Sequence, residues 1–345
     1  MAEQISDRFA LLDEWLCRNL GAVGVSIDKM AKLSGGAIQE NWLLDLTFDG
    51  GQREGEQSWV LRTNAPSTIS TSLGRPEEFA ILKCAHQAGV TVPEPILLCE
   101  DATIIGQPFY VMTRAGGTAQ GRKIARDPNL ATFGPALAEQ LGVELARLHR
   151  VTPQQSSLPF LPVPGVHPAQ YRIDRYRADL DALPDGHPVL EYALNWLEQN
   201  LPPANGLVLT HTDFRTGNYM VEDGNLTAIL DWEFASWSDP DEDIGWLCAR
   251  CWRFGNDDLR VGGIAHVEDL LRGYEPISNR KVDTASIPYW QVMAELRWAV
   301  IALQQGERCR SGTEVSQELA LTGLMASEME LNILNLIDGL ERRVA

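Results

Sequence analysis

The chain has 345 residues, 44% hydrophobic and 22% charged, a composition that excludes a disordered, collagenous or disulfide-stapled miniprotein and suffices for one large domain or two lobes. Lys and Arg total 29 against 47 Asp and Glu, a net charge of -18, so a nucleic-acid surface would need a local basic patch, and none stands out. No run approaches the ~18 apolar residues of a membrane span, the acidic start is unlike a signal peptide, and six scattered cysteines read as reduced thiols. The expectation is a cytoplasmic protein without membrane or nucleic-acid partners.

Phe9, Leu12, Leu16 and Leu20 recur at helical spacing and predict an amphipathic helix over 7–20, ended by Gly21. Strand-like stretches follow at Lys32–Leu33, Asn41–Phe48 and Ser58–Arg62, the first two joined by Ser34, Gly35, Gly36 and Ala37. Arg75-Pro76 opens a helix that runs to Gly89. Two more strands, Ile96–Cys99 and Phe109–Thr113, complete a small sheet before Gly116-Gly117. Beyond that point the pattern turns helical: Leu130–Arg150, a proline-rich loop, then Tyr171–Leu183 and Val189–Asn200. Gly206–Thr210 delivers the chain to His211-Thr-Asp213-Phe-Arg215-Thr-Gly217-Asn218, and Tyr219–Val221 turns at Asp223-Gly224-Asn225 into Thr227–Asp231. Everything after Asp241 reads as helix, loop, helix.

Asp213 and Asn218 share one loop, and Asp231 ends the hairpin behind it. An amide oxygen and a carboxylate brought to one spot suit magnesium, a hard cation that keeps several waters and takes few protein ligands alongside substrate phosphates. Asp213 would then be free to take or orient a hydroxyl proton. For each of the three a bland alternative stands: a turn or cap for Asp213, tolerance of left-handed backbone for Asn218, a strand-end cap for Asp231. Cys248-x-x-Cys251 lacks the second pair or nearby His that a zinc site needs. The absence of G-x-x-x-x-G-K-[ST] and of G-x-G-x-x-G excludes a P-loop and disfavours a dinucleotide fold.

The ordered segments HTDFRTGN, AILDWEFA and DPDEDIGWL resemble the aminoglycoside phosphotransferase family of the protein-kinase-like fold, over about residues 30–305. Leu-Ser-Gly-Gly-Ala, Arg62 and Phe-Arg-Thr-Gly-Asn bring the wording nearest to the branch associated with acyl-CoA dehydrogenases. The resemblance implies an α+β, two-lobe fold: an antiparallel-sheet nucleotide-binding lobe over 1–115 and a larger, mainly helical lobe over 116–345 with the catalytic loop and acceptor site. It implies an enzyme that uses ATP and Mg2+, bound between lobes, to phosphorylate a hydroxyl of a small molecule, with Asp213 orienting that hydroxyl and Asn218 and Asp231 on the metal. Arg215 stands where protein kinases keep a lysine near the transferring phosphoryl group. Ser34, Gly35 and Gly36 resemble the phosphate-covering loop, and Met112 lies in the strand whose backbone would read the adenine edge.

The family's third-strand lysine is missing, so the resemblance assigns Arg62 to the α- and β-phosphates, with Glu78, or its neighbour Glu77, holding the cation. His211 would pack and hydrogen-bond beneath the loop, and Asp243 would either brace that loop or belong to an acidic helix start. Acceptors implied are a hydroxyacyl-CoA, an aminoglycoside or an amino alcohol. A long anionic acceptor would require a basic groove, for which Arg172, Arg175 and Arg177 form one candidate cluster, a solvated helix face being the other reading. Glu295, Arg297 and Trp298 are possible acceptor-site residues, although a helix exposing polar edges fits them better. The reading from another class is a catalytically silent, kinase-like nucleotide-binding module.

Overall fold

The computed structural model describes residues 8–33, 39–64 and 72–344. The chain divides into two compact units: the described residues up to Gly117 together with Thr227–Phe234, and Thr118–Leu226 together with the described residues from Ala235. A division by chain position alone places Thr227–Phe234 with the helices. Its backbone is instead tied into the first unit, where Leu73 N–H donates to the Glu233 carbonyl and Ile229 N–H to that of Thr91.

The first unit is built on a five-stranded antiparallel sheet of β1 (Gly24–Lys32), β2 (Gln39–Asp49), β3 (Gly55–Asn64), β4 (Pro95–Cys99) and β5 (Phe109–Thr113), in the order β1-β2-β3-β5-β4. β3 is therefore central, with Arg62 opposite Asn41 on β2 and Tyr110 on β5. Helix α1 spans Leu12–Leu20, preceded by a turn over 9–11 where a continuous helix is expected, and buries Leu12, Trp15, Leu16 and Leu20 against Trp42, Leu44, Trp59 and Phe109 of the sheet. β1 is much longer than the two residues expected, because its partly exposed side chains carry little apolar alternation to announce it. Helix α2 (Arg75–Gln87) takes Pro76 in its first turn and turns Glu78, Ile81, Leu82 and Ala85 inward.

The second unit is mainly helical: α3 (Gly121–Ala125), α4 (Leu130–Leu148), α5 (Pro168–Asp181), α6 (Pro188–Gln199), α7 (Asp241–Leu247), α8 (Val267–Ser278), α9 (Ile287–Arg310), α10 (Gln317–Leu324) and α11 (Ala326–Val344). Its core gathers Ile173, Tyr176, Leu194, Leu197, Trp290, Leu296 and Ile333 from four of these helices. Helices α4 and α8 approach so closely that a Cβ on Gly142 would meet the Leu270 carbonyl oxygen at 2.1 Å, and one on Gly273 that of Glu139 at 1.9 Å. Strand β6 (Val208–Thr210) pairs antiparallel with β9 (Ser236–Ser238). β7 (Tyr219–Glu222) turns through Asp223 and Gly224, both at positive φ, into β8 (Asn225–Ile229). All six cysteines are free thiols, and no helix among the described residues is long and apolar enough to cross a membrane.

Candidate active site

The residues singled out by the sequence gather in two groups, one in each unit. In the first, Arg62 projects from the central strand and is 4% exposed. Its Nε donates to Glu78 Oε2 at 3.2 Å and its Nη1 to Asn41 Oδ1 at 3.4 Å, while Nη2 lies 2.9 Å from both Glu78 Oε1 and Asp231 Oδ1. Neither of those last two contacts has hydrogen-bond alignment, so a buried guanidinium N–H is left without a hydrogen-bond partner. Arg75 also pairs with Glu78 and lies 3.6 Å from Glu233. Two buried guanidiniums thus share three carboxylates, an arrangement that raises the Arg62 pKa: burial opposes its charge, but Glu78, Tyr110, Asp231 and Glu233 outweigh that. Burial pushes the Glu233 carboxyl up to about 7, aided by Glu78 and Asp231 and opposed by Arg62 and Arg75.

Asp231 adopts a left-handed backbone, φ 63°, that aspartate tolerates better than most residues. Its side chain is 35% exposed, the most open of this group. Met112 is buried on β5 opposite Val60 and Pro95. Ser34, Gly35 and Gly36 lie outside the described residues.

In the second unit the loop after β6 is clamped from below. Asp243, on α7, accepts from the backbone N–H of His211 (2.8 Å) and of Thr212 (2.7 Å), and its Oδ2 lies 3.1 Å from His149 Nε2. Burial would raise the Asp243 pKa; the hydrogen bond and charge of His149, with His211 beside it, hold it below the ordinary value. Arg297, from α9, donates to the Thr212 carbonyl. Thr212 is thus gripped at both ends in a left-handed conformation, φ 59°, unfavourable for a β-branched residue and sustained only when the surroundings over-determine it. The His211 ring, fully buried, accepts the Asp213 N–H at 3.2 Å.

This clamp presents Asp213, whose side chain keeps 13% exposure. Trp246 Nε1 and Arg215 Nε donate to its Oδ1 at 2.9 and 3.2 Å, and the Asn218 amide donates to Oδ2 and, at 2.9 Å, to its carbonyl. Arg215 stacks over Trp252, 4.5 Å from the ring centre. Asp213, Arg215 and Asn218 are therefore brought together in one unit, and Arg62, Glu78 and Asp231 in the other.

Several side chains stand differently from expectation. Arg172 is 5% exposed and points inward to Glu242 (3.0 Å) and Ser236, while Arg177 pairs with Glu191 and Glu198 and Arg175 is exposed. These arginines form no shared groove: Arg177, five positions on from Arg172, looks out from another side of α5, and Arg172 finds a carboxylate 70 positions away. Glu295 is fully buried, accepting the Arg250 N–H and the Asn332 amide, so α9 does not simply expose polar edges there. Trp246 was unremarked as a site residue by the motifs; its signal is the i, i+3 spacing from Asp243, which places both on one side of α7 to grip consecutive residues of the loop.

Residues 29–279 match the model of the phosphotransferase enzyme family. Acyl-CoA dehydrogenase family member 10 of Mus musculus is 32% identical over 66% of this chain and 23% of its own length. Acyl-CoA dehydrogenase family member 11 of Pongo abelii is 29% identical over 80% of this chain and 38% of its own. The chain thus spans about a quarter to two fifths of the length of these relatives. Among solved structures, a Ralstonia eutropha protein provisionally named an aminoglycoside phosphotransferase superposes with TM-score 0.71 and 21% identity, covering 93% of this chain and 95% of that one. The GDP and kanamycin complex of APH(2'')-IIIa does so with TM-score 0.62 and 17% identity, over 89% and 94%. Those identities speak for the fold alone, which is protein-kinase-like. The family model spans most of the chain, both clusters just described fall within it, and the chain belongs to the phosphotransferase enzyme family.

Proposed function

We propose that the protein transfers the γ-phosphoryl group of ATP, with magnesium, to a hydroxyl of a small molecule. One observation carries the reading: the Asp213 carboxylate is held by three N–H donors at the tip of a loop clamped from below, a preorganised acceptor for a hydroxyl proton. The donor set fits the absent groups. Asn218 spends its amide N–H on Asp213 and so has its oxygen for a cation, in the other unit the partly exposed Asp231 carboxylate is a second candidate ligand, and oxygen ligands of this kind suit magnesium. The unsatisfied N–H of Arg62 fits a phosphate oxygen, and Glu78 and Asn41 fix its orientation. Magnesium, when bound, would neutralise phosphate charge.

In this mechanism the acceptor O–H proton passes to Asp213 as that oxygen bonds to the γ-phosphorus and the bond to ADP breaks. Arg215 leaves its 3.2 Å contact with Asp213 to meet charge on the transferring group, its Trp252 stack limiting the rearrangement. Ser34, Gly35 and Gly36 would cover the phosphates and the Met112 backbone would meet the base. The names of the relatives make a hydroxyacyl-CoA the first acceptor to try, with aminoglycosides and amino alcohols beside it. The test is ADP release with magnesium across that panel, wild type beside Asp213→Ala. Acceptor-dependent release abolished by the substitution is the expected result. Nucleotide binding without release on any acceptor would favour a silent binding module.

A further inference from the structure

Three indoles stack beside the catalytic loop: Trp246 and Trp252 have ring centres 5.4 Å apart, and Trp252 and Trp298 5.3 Å. The N–H groups of Trp252 and Trp298 are buried without a hydrogen-bond partner, whereas that of Trp246 donates to Asp213 Oδ1 at 2.9 Å. Of the three rings, Trp246 is thus the one whose polar tip is engaged, and its acceptor is the Asp213 carboxylate. Trp246 itself is 3% exposed, and Arg297 lies over its face, 4.4 Å from the centre. An indole N–H can only donate, and a buried donor stripped of its acceptor costs free energy, so Trp246 has a standing reason to stay on Asp213.

The other donors on that carboxylate do not. Taking the phosphotransfer reading as given, Asn218 carries a cation on its amide oxygen, keeping its N–H on the Asp213 carbonyl and releasing Oδ2, and Arg215 swings toward the phosphoryl group. We propose that Trp246 is the positioning residue of Asp213: it keeps Oδ1 engaged throughout turnover and leaves Oδ2 as the oxygen that receives the acceptor's proton. The acceptor O–H bond breaks toward Oδ2, the acceptor oxygen bonds to the γ-phosphorus, and the nucleoside diphosphate leaves with the electron pair of the broken P–O bond. Without Trp246 the carboxylate would be free to rotate and to offer either oxygen.

Trp246→Phe keeps the ring, the stack and the face under Arg297 while deleting the N–H. Two measurements on the full chain test the proposal. In the ¹⁵N-labelled protein the chain's ten tryptophans give indole N–H signals; Trp246→Phe identifies one by its loss, and that signal is expected to move upfield in Asp213→Asn. Steady-state kinetics with Mg·ATP, using water as acceptor where the panel yields none, should show kcat reduced about ten- to a hundredfold with KM for ATP within about twofold. Thermal unfolding within a few degrees of wild type excludes a folding defect.

An indole signal indifferent to Asp213→Asn, or Trp246→Phe with wild-type kcat, overturns the proposal. A raised KM with unchanged kcat does so too, since it reports binding and not orientation. A wild type that turns over no ATP above Asp213→Asn removes the phosphotransfer reading and the catalytic role with it, while a responding indole signal would still establish the contact. The two failures are therefore told apart.

Discussion

Replacing Asp243 with Asn should loosen the loop that carries Asp213 more than any exposed substitution in it. The carboxylate is fully buried and faces three nitrogens: the N–H groups of His211 at 2.8 Å and Thr212 at 2.7 Å, and His149 Nε2 at 3.1 Å. Hydrogen bonds to a charged group contribute about 1.5–3 kcal/mol each. Asparagine retains one acceptor oxygen but sets its NH2 against a donor, so the expected loss is about 3–5 kcal/mol, a large part of the ~5–15 kcal/mol typical of a domain. Urea unfolding followed by tryptophan fluorescence measures it. The pH dependence carries a sign: the Asp243 pKa is depressed, so its contribution is complete above the ordinary value of 3.8 and is lost as pH falls through the lower folded-state value. Asp243→Asn has lost it throughout, and the two stabilities should converge in strong acid. A loss under about 1 kcal/mol at pH 7, or a constant gap down to low pH, would refute the clamp.

Other perturbations test other parts of the account. Arg62→Lys loses the fork that meets Glu78, Asn41 and Asp231 at once, so the thermal shift given by Mg·ATP should shrink, with KM for ATP rising about tenfold; an unchanged shift would remove Arg62 from the nucleotide site. Because burial holds the Glu233 carboxyl at about 7 against an ordinary 4.5, the folded chain keeps a proton there that the unfolded chain gives up. Wild-type stability should therefore fall between those values by about 3 kcal/mol, and Glu233→Gln should flatten that part of the melting-temperature profile. Gly245→Ala places a Cβ 2.2 Å from the Trp290 Cβ, between α7 and α9, and should cost more than about 3 kcal/mol in unfolding experiments; a neutral result would mean the two helices part easily.

Strands β2 to β5, helix α2 and the hairpin that ends at Asp231 were legible because their apolar spacing and turn residues are local, whereas most of β1, with little apolar alternation, was not. Asp213, Asn218 and Asp231 stood out by chemistry and by the order of their segments. What was not legible depends on long-range partners. Trp246 reaches Asp213 from 33 positions away and Arg297 reaches Thr212 from 85, and no window of sequence contains such pairs. Arg172 shows the same blindness in reverse: beside Arg175 and Arg177 it reads as part of a basic face, yet Glu242 draws it inward. The transfer of Thr227–Phe234 to the first unit has that origin too, since its anchors, Thr91 and Leu73, come from far earlier in the chain.

The claim that Asp213 drives phosphoryl transfer is met most directly by mass analysis of the acceptor panel after incubation with Mg·ATP, run for wild type and Asp213→Asn, with nucleotide binding measured in parallel by calorimetry. The account predicts one acceptor gaining a single phosphoryl group with the wild type and none with Asp213→Asn, at similar nucleotide affinity. Equal product from both proteins would contradict it.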